Sequence, residues 1–206
     1  MLPDLRTYPC DDVVSRVERA LATHFDASTE LRKRRSLGFR TDRNSWVRIE
    51  IRDLARFDGQ GWGIECASIL RGVAMPQWHQ GLSWLDHGRQ VMWRTDETTY
   101  IADRPIKPGR ILTTRPELPE SWWATFHSSL DALGRYTTTR VAVSQAGVTE
   151  TICQVFSDVD TTVEEWTAAH ADLAWANLTA PNCYFLDWED WGTAPRGWDT
   201  ASPTTS

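Results

Sequence analysis

The chain has 206 residues, with 22 basic and 28 acidic side chains and a net charge of −6. Hydrophobic residues make up 41% and charged residues 24%, a globular composition that excludes wholesale disorder. That length suits one ordinary domain or two small lobes, long enough to bury a core without staples. No apolar run approaches the roughly 18–20 residues that cross a bilayer. The start, MLPDLRTYPCDD, has neither the basic nor the apolar segment of a secretory signal. An acidic balance argues against nucleic acid as a partner, since the one basic run is Arg32-Lys33-Arg34-Arg35. Four cysteines (10, 66, 153, 183) lack zinc spacing and read as free thiols in a reducing cytoplasm.

Residues 12–24 place Val13, Val14, Val17 and Leu21 on one helical face, with Asp11 or Asp12 as N-cap. Residues 29–52 read as β-rich runs, TELRKRRSLGFRT and SWVRIEIRD, joined by the turn Asp42-Arg43-Asn44. Val47, Ile49 and Ile51 alternate with Trp46, Arg48 and Glu50, the period-two pattern of a strand. Residues 62–72 return to helical spacing and stop at Gly72. Two strand-like runs follow, GLSWLD and RQVMWRT, separated by His87-Gly88. A connector rich in proline (105, 108, 116, 119) leads into a helix over about 119–136, carried by Trp122, Trp123, Phe126, Leu130 and Leu133. Residues 137–146 read as a loop, and 147–157 and 161–169 as shorter helices. The order divides the chain into a β-containing lobe, 1–98, and a helical lobe, 99–206.

The residues that carry chemistry lie near the C-terminus. His170-Ala171-Asp172-Leu173-Ala174-Trp175-Ala176-Asn177 has the pattern H-x-D-x-x-x-x-N, and Leu186-Asp187-Trp188-Glu189 follows soon after. Phosphoryl transfer needs a carboxylate to orient the attacking hydroxyl, and oxygen-bearing side chains to hold Mg²⁺ on the nucleotide phosphates. A turn through Ala180-Pro181-Asn182 and a return strand at 183–186 would bring Asn177 and Asp187 to one metal site. Residues HADLAWAN (170–177) and LDWEDWGTAPRGWD (186–199) resemble the catalytic loop and metal-binding segment of the aminoglycoside phosphotransferase family, a branch of the protein-kinase-like fold. The three fixed positions of the first motif alone are weakly specific. Joined to the spaced Asp-Trp-Glu and to the later Pro-x-x-x-Asp, they are distinctive.

The resemblance implies an α+β, two-lobed protein-kinase-like fold, with a small antiparallel-sheet N-lobe that binds nucleotide and a mainly helical C-lobe. It implies Asp172 as catalytic base and Asn177 and Asp187 as Mg²⁺ ligands. His170 and Asp199 would be structural, with Asp199 bracing the catalytic loop, and Glu189 would stand just outside the metal's ligands. Arg48 occupies the place of the phosphate-anchoring lysine, and Glu65 on the next helix is its expected partner. Backbone groups around Trp93, Arg94 and Thr95 would meet the adenine ring. ATP or GTP with Mg²⁺ would be the cofactor, and the acceptor a hydroxyl of a small, aminoglycoside-like molecule. The Trp188-Glu189-Asp190-Trp191 cluster suits a cationic acceptor, or else its tryptophans pack the base of the loop.

Two departures qualify the likeness. There is no G-x-G-x-x-G loop, so residues 32–38 are the remaining candidate for a phosphate cover. The chain also ends seven residues after Asp199, where the family continues with further helices, so the C-lobe reads as shortened and a protein partner would cover its apolar surface. The rival readings are a pseudokinase that binds nucleotide without turnover, and a kinase for peptide Ser or Thr in a biosynthetic pathway.

Overall fold

The computed structural model describes residues 2–53, 62–107 and 116–201. The chain divides into two compact units, residues 1–61 with 76–101, and residues 62–75 with 102–206. Pro108 of the connector lies outside the described residues.

The first unit is a helix on a five-stranded antiparallel sheet. Helix α1 (Asp11–Leu21) buries Val13, Val17 and Leu21, one stripe of its amphipathic pattern. Its N-cap is Cys10, with no side-chain capping bond; Asp11 and Asp12 sit inside the first turn, where carboxylates favour the positive end of the helix dipole. Strands β1 (Phe25–Arg32), β2 (Ser36–Thr41), β3 (Ser45–Asp53), β4 (Trp78–Asp86) and β5 (Val91–Thr99) are ordered β1-β2-β3-β5-β4. The run expected as one strand over 29–41 is therefore a hairpin, turning at Lys33-Arg34-Arg35. Four consecutive basic residues carry no alternation, so the period-two signal is blank at the bend. Asp42-Arg43-Asn44 makes the expected turn, with Asn44 left-handed at φ 59°. The inner face of the sheet (Leu37, Phe39, Val47, Ile49, Ile51, Val91, Trp93) packs on α1 with Leu5 and Cys10. Each large apolar side chain buried there contributes up to about 1.5–3 kcal/mol.

The other face of the sheet is charged. Arg48, Glu50 and Arg52 alternate with the buried Val47, Ile49 and Ile51 along β3. In register, Arg48 stands opposite Asp96 of β5 and Glu50 opposite Arg94. Gly38 of β2 pairs with Arg48 and lies under the Trp46 indole; a Cβ there would collide with ring atom Cζ2.

The second unit is built on helix α3 (Glu120–Gly134), with short α2 (Gly63–Ala67), α4 (Gln145–Cys153) and α5 (Trp198–Ala201). Two small antiparallel pairs complete it: β6 (Arg104–Pro105) with β8 (Thr179–Ala180), and β7 (Trp166–Ala169) with β9 (Gly192–Pro195). Of the helix expected over 161–169, residues 166–169 are instead β7 and 161–165 are irregular. Alanine and glutamate favour helix locally, but pairing with β9 overrides that preference. The helix expected over 62–72 spans only 63–67. The core joins Trp122, Phe126 and Leu133 of α3 to Leu173, Trp175, Leu178, Phe185, Trp188 and Trp191. Buried indoles need a partner for N–H: Trp122 donates to Thr179 O at 2.8 Å, Trp188 to Phe185 O at 2.8 Å and Trp191 to Gly63 O at 2.7 Å. Among the described residues no helix is long and apolar enough to cross a membrane.

Candidate active site

Strand β7 delivers the chain to His170 in the second unit. The Asp199 carboxylate accepts two successive peptide N–H groups, His170 N to Oδ2 at 2.7 Å and Ala171 N to Oδ1 at 2.8 Å. Trp198 Nε1 donates to Ala171 O at 3.2 Å. Ala171 is held in the left-handed region at φ 68°, unfavourable for a residue with a Cβ, and three bonds from α5 hold it there. Burial pushes the Asp199 carboxyl upward, while His170 and the two peptide N–H groups pull it down.

His170 is fully buried. Its Nε2 lies 2.8 Å from Leu186 O, and a carbonyl only accepts, so Nε2 carries the proton. Nδ1 is buried without a hydrogen-bond partner among the described residues, and Trp188 packs edge-on at 4.7 Å. Burial lowers the pKa of this imidazole, which is therefore a neutral strut between the two loops.

The strut ties residues 170–177 to residues 185–187. Asn177 N donates to Ala174 O at 2.7 Å, closing the 3₁₀ turn Trp175–Asn177. Leu186 N donates to Asn177 O at 2.8 Å. Asn177 Nδ2 donates to Asp172 O at 2.8 Å and to Asp172 Oδ2 at 3.2 Å. With Nδ2 engaged twice, Oδ1 is the amide's acceptor atom. Asp187 follows Leu186 with φ 61°, a left-handed conformation that turns the chain sharply at the end of the return segment. Asp172, Asn177 and Asp187 thus stand on two loops sewn together by backbone and side-chain bonds.

The remaining predicted residues fall as follows. Glu189 lies on the next turn, where its carbonyl accepts Arg140 Nη2 at 3.0 Å; Arg140 Nε also donates to Trp191 O at 3.0 Å. Trp188 and Trp191 are buried core residues at the base of this turn. Glu65 is on α2, which the Trp191–Gly63 bond anchors to the same segment. Arg48, Trp93, Arg94 and Thr95 lie in the first unit. Arg48 Nη2 is 3.2 Å from Glu50 Oε2. Trp93 packs in the core, stacks on Trp84 and donates to Asp86 Oδ2 at 3.2 Å; Arg94 pairs with Asp96. The peptide groups of Trp93–Thr95 lie mid-strand between β3 and β4, with a neighbour on each side. Those backbone groups are engaged in the sheet, so they do not meet an adenine ring as expected. Gly38 is a strand residue, and the β1–β2 turn is Lys33-Arg34-Arg35. Period-two spacing alone puts Glu50 and Arg52 beside Arg48, though neither carries a motif that marks it.

No protein-family model and no curated protein matches the sequence. Solved structures do. The chain superposes on the APH(2″)-IIa ternary complex with streptomycin and ATP with a TM-score of 0.60 at 12% identity, covering 94% of this chain and 75% of that one. The chain has the fold of an aminoglycoside phosphotransferase. A second such structure, APH(2″)-IIIa in complex with GDP and kanamycin, matches with a TM-score of 0.50 at 9% identity, over 82% of this chain and 68% of that one. The five-stranded antiparallel sheet and the following helical unit are the kinase-like parts of that fold.

Proposed function

We propose that the protein is a phosphotransferase that moves the terminal phosphoryl group of ATP or GTP to a hydroxyl of a small molecule. One observation carries the reading: Asp172, Asn177 and Asp187 stand on two loops that Asp199 and His170 hold rigidly in register. Rigid placement of charge is what phosphoryl transfer chiefly requires. The likeness in fold to structures holding ATP with streptomycin, and GDP with kanamycin, supports a nucleotide and a small acceptor.

The donor set fits Mg²⁺. Asn177 Oδ1 and the Asp187 carboxylate are hard oxygen ligands, and two protein ligands suffice when phosphates and water supply the rest. Among the described residues no three His, Cys, Asp or Glu side chains cluster as a cage. When bound, Mg²⁺ would neutralise phosphate charge. The protein's own part is then simple. Asp172 orients the acceptor hydroxyl and receives its proton, and Asn177 fixes the Asp172 carboxylate through Nδ2.

The test measures nucleotide turnover across a panel of hydroxyl acceptors, with and without Mg²⁺, for the wild type, Asp172→Asn and Asp187→Ala. Turnover that is lost in both variants supports the reading, provided that Asp172→Asn still binds nucleotide while Asp187→Ala loses the Mg²⁺-dependent part of binding. Full turnover in Asp187→Ala would overturn it. Binding without turnover in the wild type, on every acceptor, would favour a nucleotide-binding scaffold.

A further inference from the structure

We infer that Arg140 is a positioning residue that fixes the backbone on the far side of Asp187; this rests on the phosphotransferase reading. On its near side Asp187 follows Leu186, whose N–H and carbonyl are bound to Asn177 and His170. On its far side the chain turns through residues 188–190 before it enters β9 at Gly192. The carbonyls of Glu189 and Trp191 precede the β7–β9 ladder and take donors from one guanidinium. Arg140 Nη2 reaches Glu189 O and Nε reaches Trp191 O, each at 3.0 Å. Donors on a planar guanidinium keep a fixed spacing, so these bonds set the two carbonyls relative to each other as well as to Arg140. The guanidinium carbon also lies 5.6 Å from the Trp191 ring centroid, and that indole donates to Gly63 O at 2.7 Å.

The base of the arginine is itself tied to the strand beyond the turn. Arg140 O accepts Thr193 N at 2.8 Å and Thr193 Oγ1 at 3.2 Å, and Thr193 O accepts Ala142 N at 3.1 Å and Val143 N at 3.0 Å. Gly192 permits this approach, since a Cβ there would stand 2.7 Å from Ala142 N and 2.8 Å from Arg140 O. Arg140 thus clasps residues 189–193 with its main chain and its side chain together. All the residues of this clasp belong to the second unit, as does Asp187. Asp187 has φ 61°, uncommon for a residue with a Cβ, and such a conformation persists only where its flanks over-determine it. The bonds to Asn177 and His170 supply one flank, and Arg140 supplies the other. A group that holds a metal ligand from outside the metal's shell commonly changes metal affinity by roughly 10–100-fold.

The test uses the full chain and compares the wild type with Arg140→Ala, Arg140→Lys, Asp187→Ala and Asp187→Ala/Arg140→Lys. ATP affinity is read by titration calorimetry without Mg²⁺ and across a Mg²⁺ series, alongside thermal unfolding and hydrogen exchange over residues 188–192. In Arg140→Ala the Mg²⁺ concentration for half-maximal ATP binding should rise about tenfold, with Mg²⁺-free ATP affinity unchanged and exchange over 188–192 faster. Arg140→Lys keeps the charge but not the two-donor fork, so it should show a smaller rise, and it carries the comparison where the alanine variant does not fold. The double variant should bind ATP as Asp187→Ala does, because Arg140 acts through Asp187. An unchanged Mg²⁺ half-saturation in either Arg140 variant, whatever its melting temperature, would overturn the inference alone. So would an equal loss of ATP affinity with and without Mg²⁺, or a further loss in the double variant. A wild type that binds no ATP, or binds it without regard to Mg²⁺, would overturn the phosphotransferase reading, and this inference with it.

Discussion

Asp199 Oδ2 receives the peptide N–H of His170 at 2.7 Å, a bond between residues 29 apart in sequence. With Ala171 N on the other oxygen, one side chain fixes the entrance of the loop that carries Asp172. Asp199→Ala leaves two peptide donors without an acceptor and should cost about 2–4 kcal/mol of stability, measured by urea unfolding. Asp199→Asn keeps one acceptor oxygen but turns an NH₂ group toward the second donor, so it should cost nearly as much. Wild-type stability in both variants would show that the loop is held by other means.

Close approach rather than backbone conformation decides Gly63. A Cβ there would collide with the carbonyl oxygens of Trp188 and Glu189 and come within 2.7 Å of Glu189 Cα. Gly63→Ala should destabilise the second unit by about 1–3 kcal/mol, the scale of overpacking in a close-packed site. Gly134 supplies the contrast, since nothing lies within 4 Å of a Cβ there and it closes α3 with ordinary helical geometry. Gly134→Ala should gain up to about 1 kcal/mol from helix propensity. Denaturation midpoints moving in opposite directions would establish both.

Asp86 gives the first unit a pH dependence. Its bonds from Arg89, by side chain and backbone, hold the carboxyl at about 2 against an ordinary 3.8; burial opposes them and Trp93 adds a further bond. A depressed carboxyl contributes stability that is whole above its unfolded value and is lost as pH falls through the folded one. The contribution should therefore disappear between about pH 4 and pH 2. Arg89 also grips Asp12 at 2.9 Å, so the same loss loosens α1 from the β4–β5 turn. Circular dichroism melts across that range should be steeper in pH for the wild type than for Asp86→Asn.

The candidate site was the most readable part of the sequence because its residues lie close in the chain. Asp172 and Asn177 share one turn, and Leu186 returns to Asn177 within ten residues. The alternation of β3 was equally plain, since Val47, Ile49 and Ile51 meet a single apolar face. The failures have other causes. The β1–β2 bend is hidden in four basic residues with no apolar period. Residues 166–169 become a strand only because Gly192–Pro195 pairs with them, which local propensity does not encode. The partnership of Glu50 with two arginines needed only period-two counting, but it matches no motif and so attracts no notice.

The Trp191 indole bonded to Gly63 O has a consequence for how the chain can be divided. It anchors residues 62–75 in the second unit although they are translated between two stretches of the first. Neither half is a continuous polypeptide. A fragment stopping at residue 101 would carry Ala67 and Leu70 without the tryptophans that cover them, and one starting at 102 would lack the carbonyl that receives the Trp191 proton. Dissection by simple truncation should yield insoluble pieces, and only an excision that removes 62–75 from one half and grafts it onto the other respects the architecture.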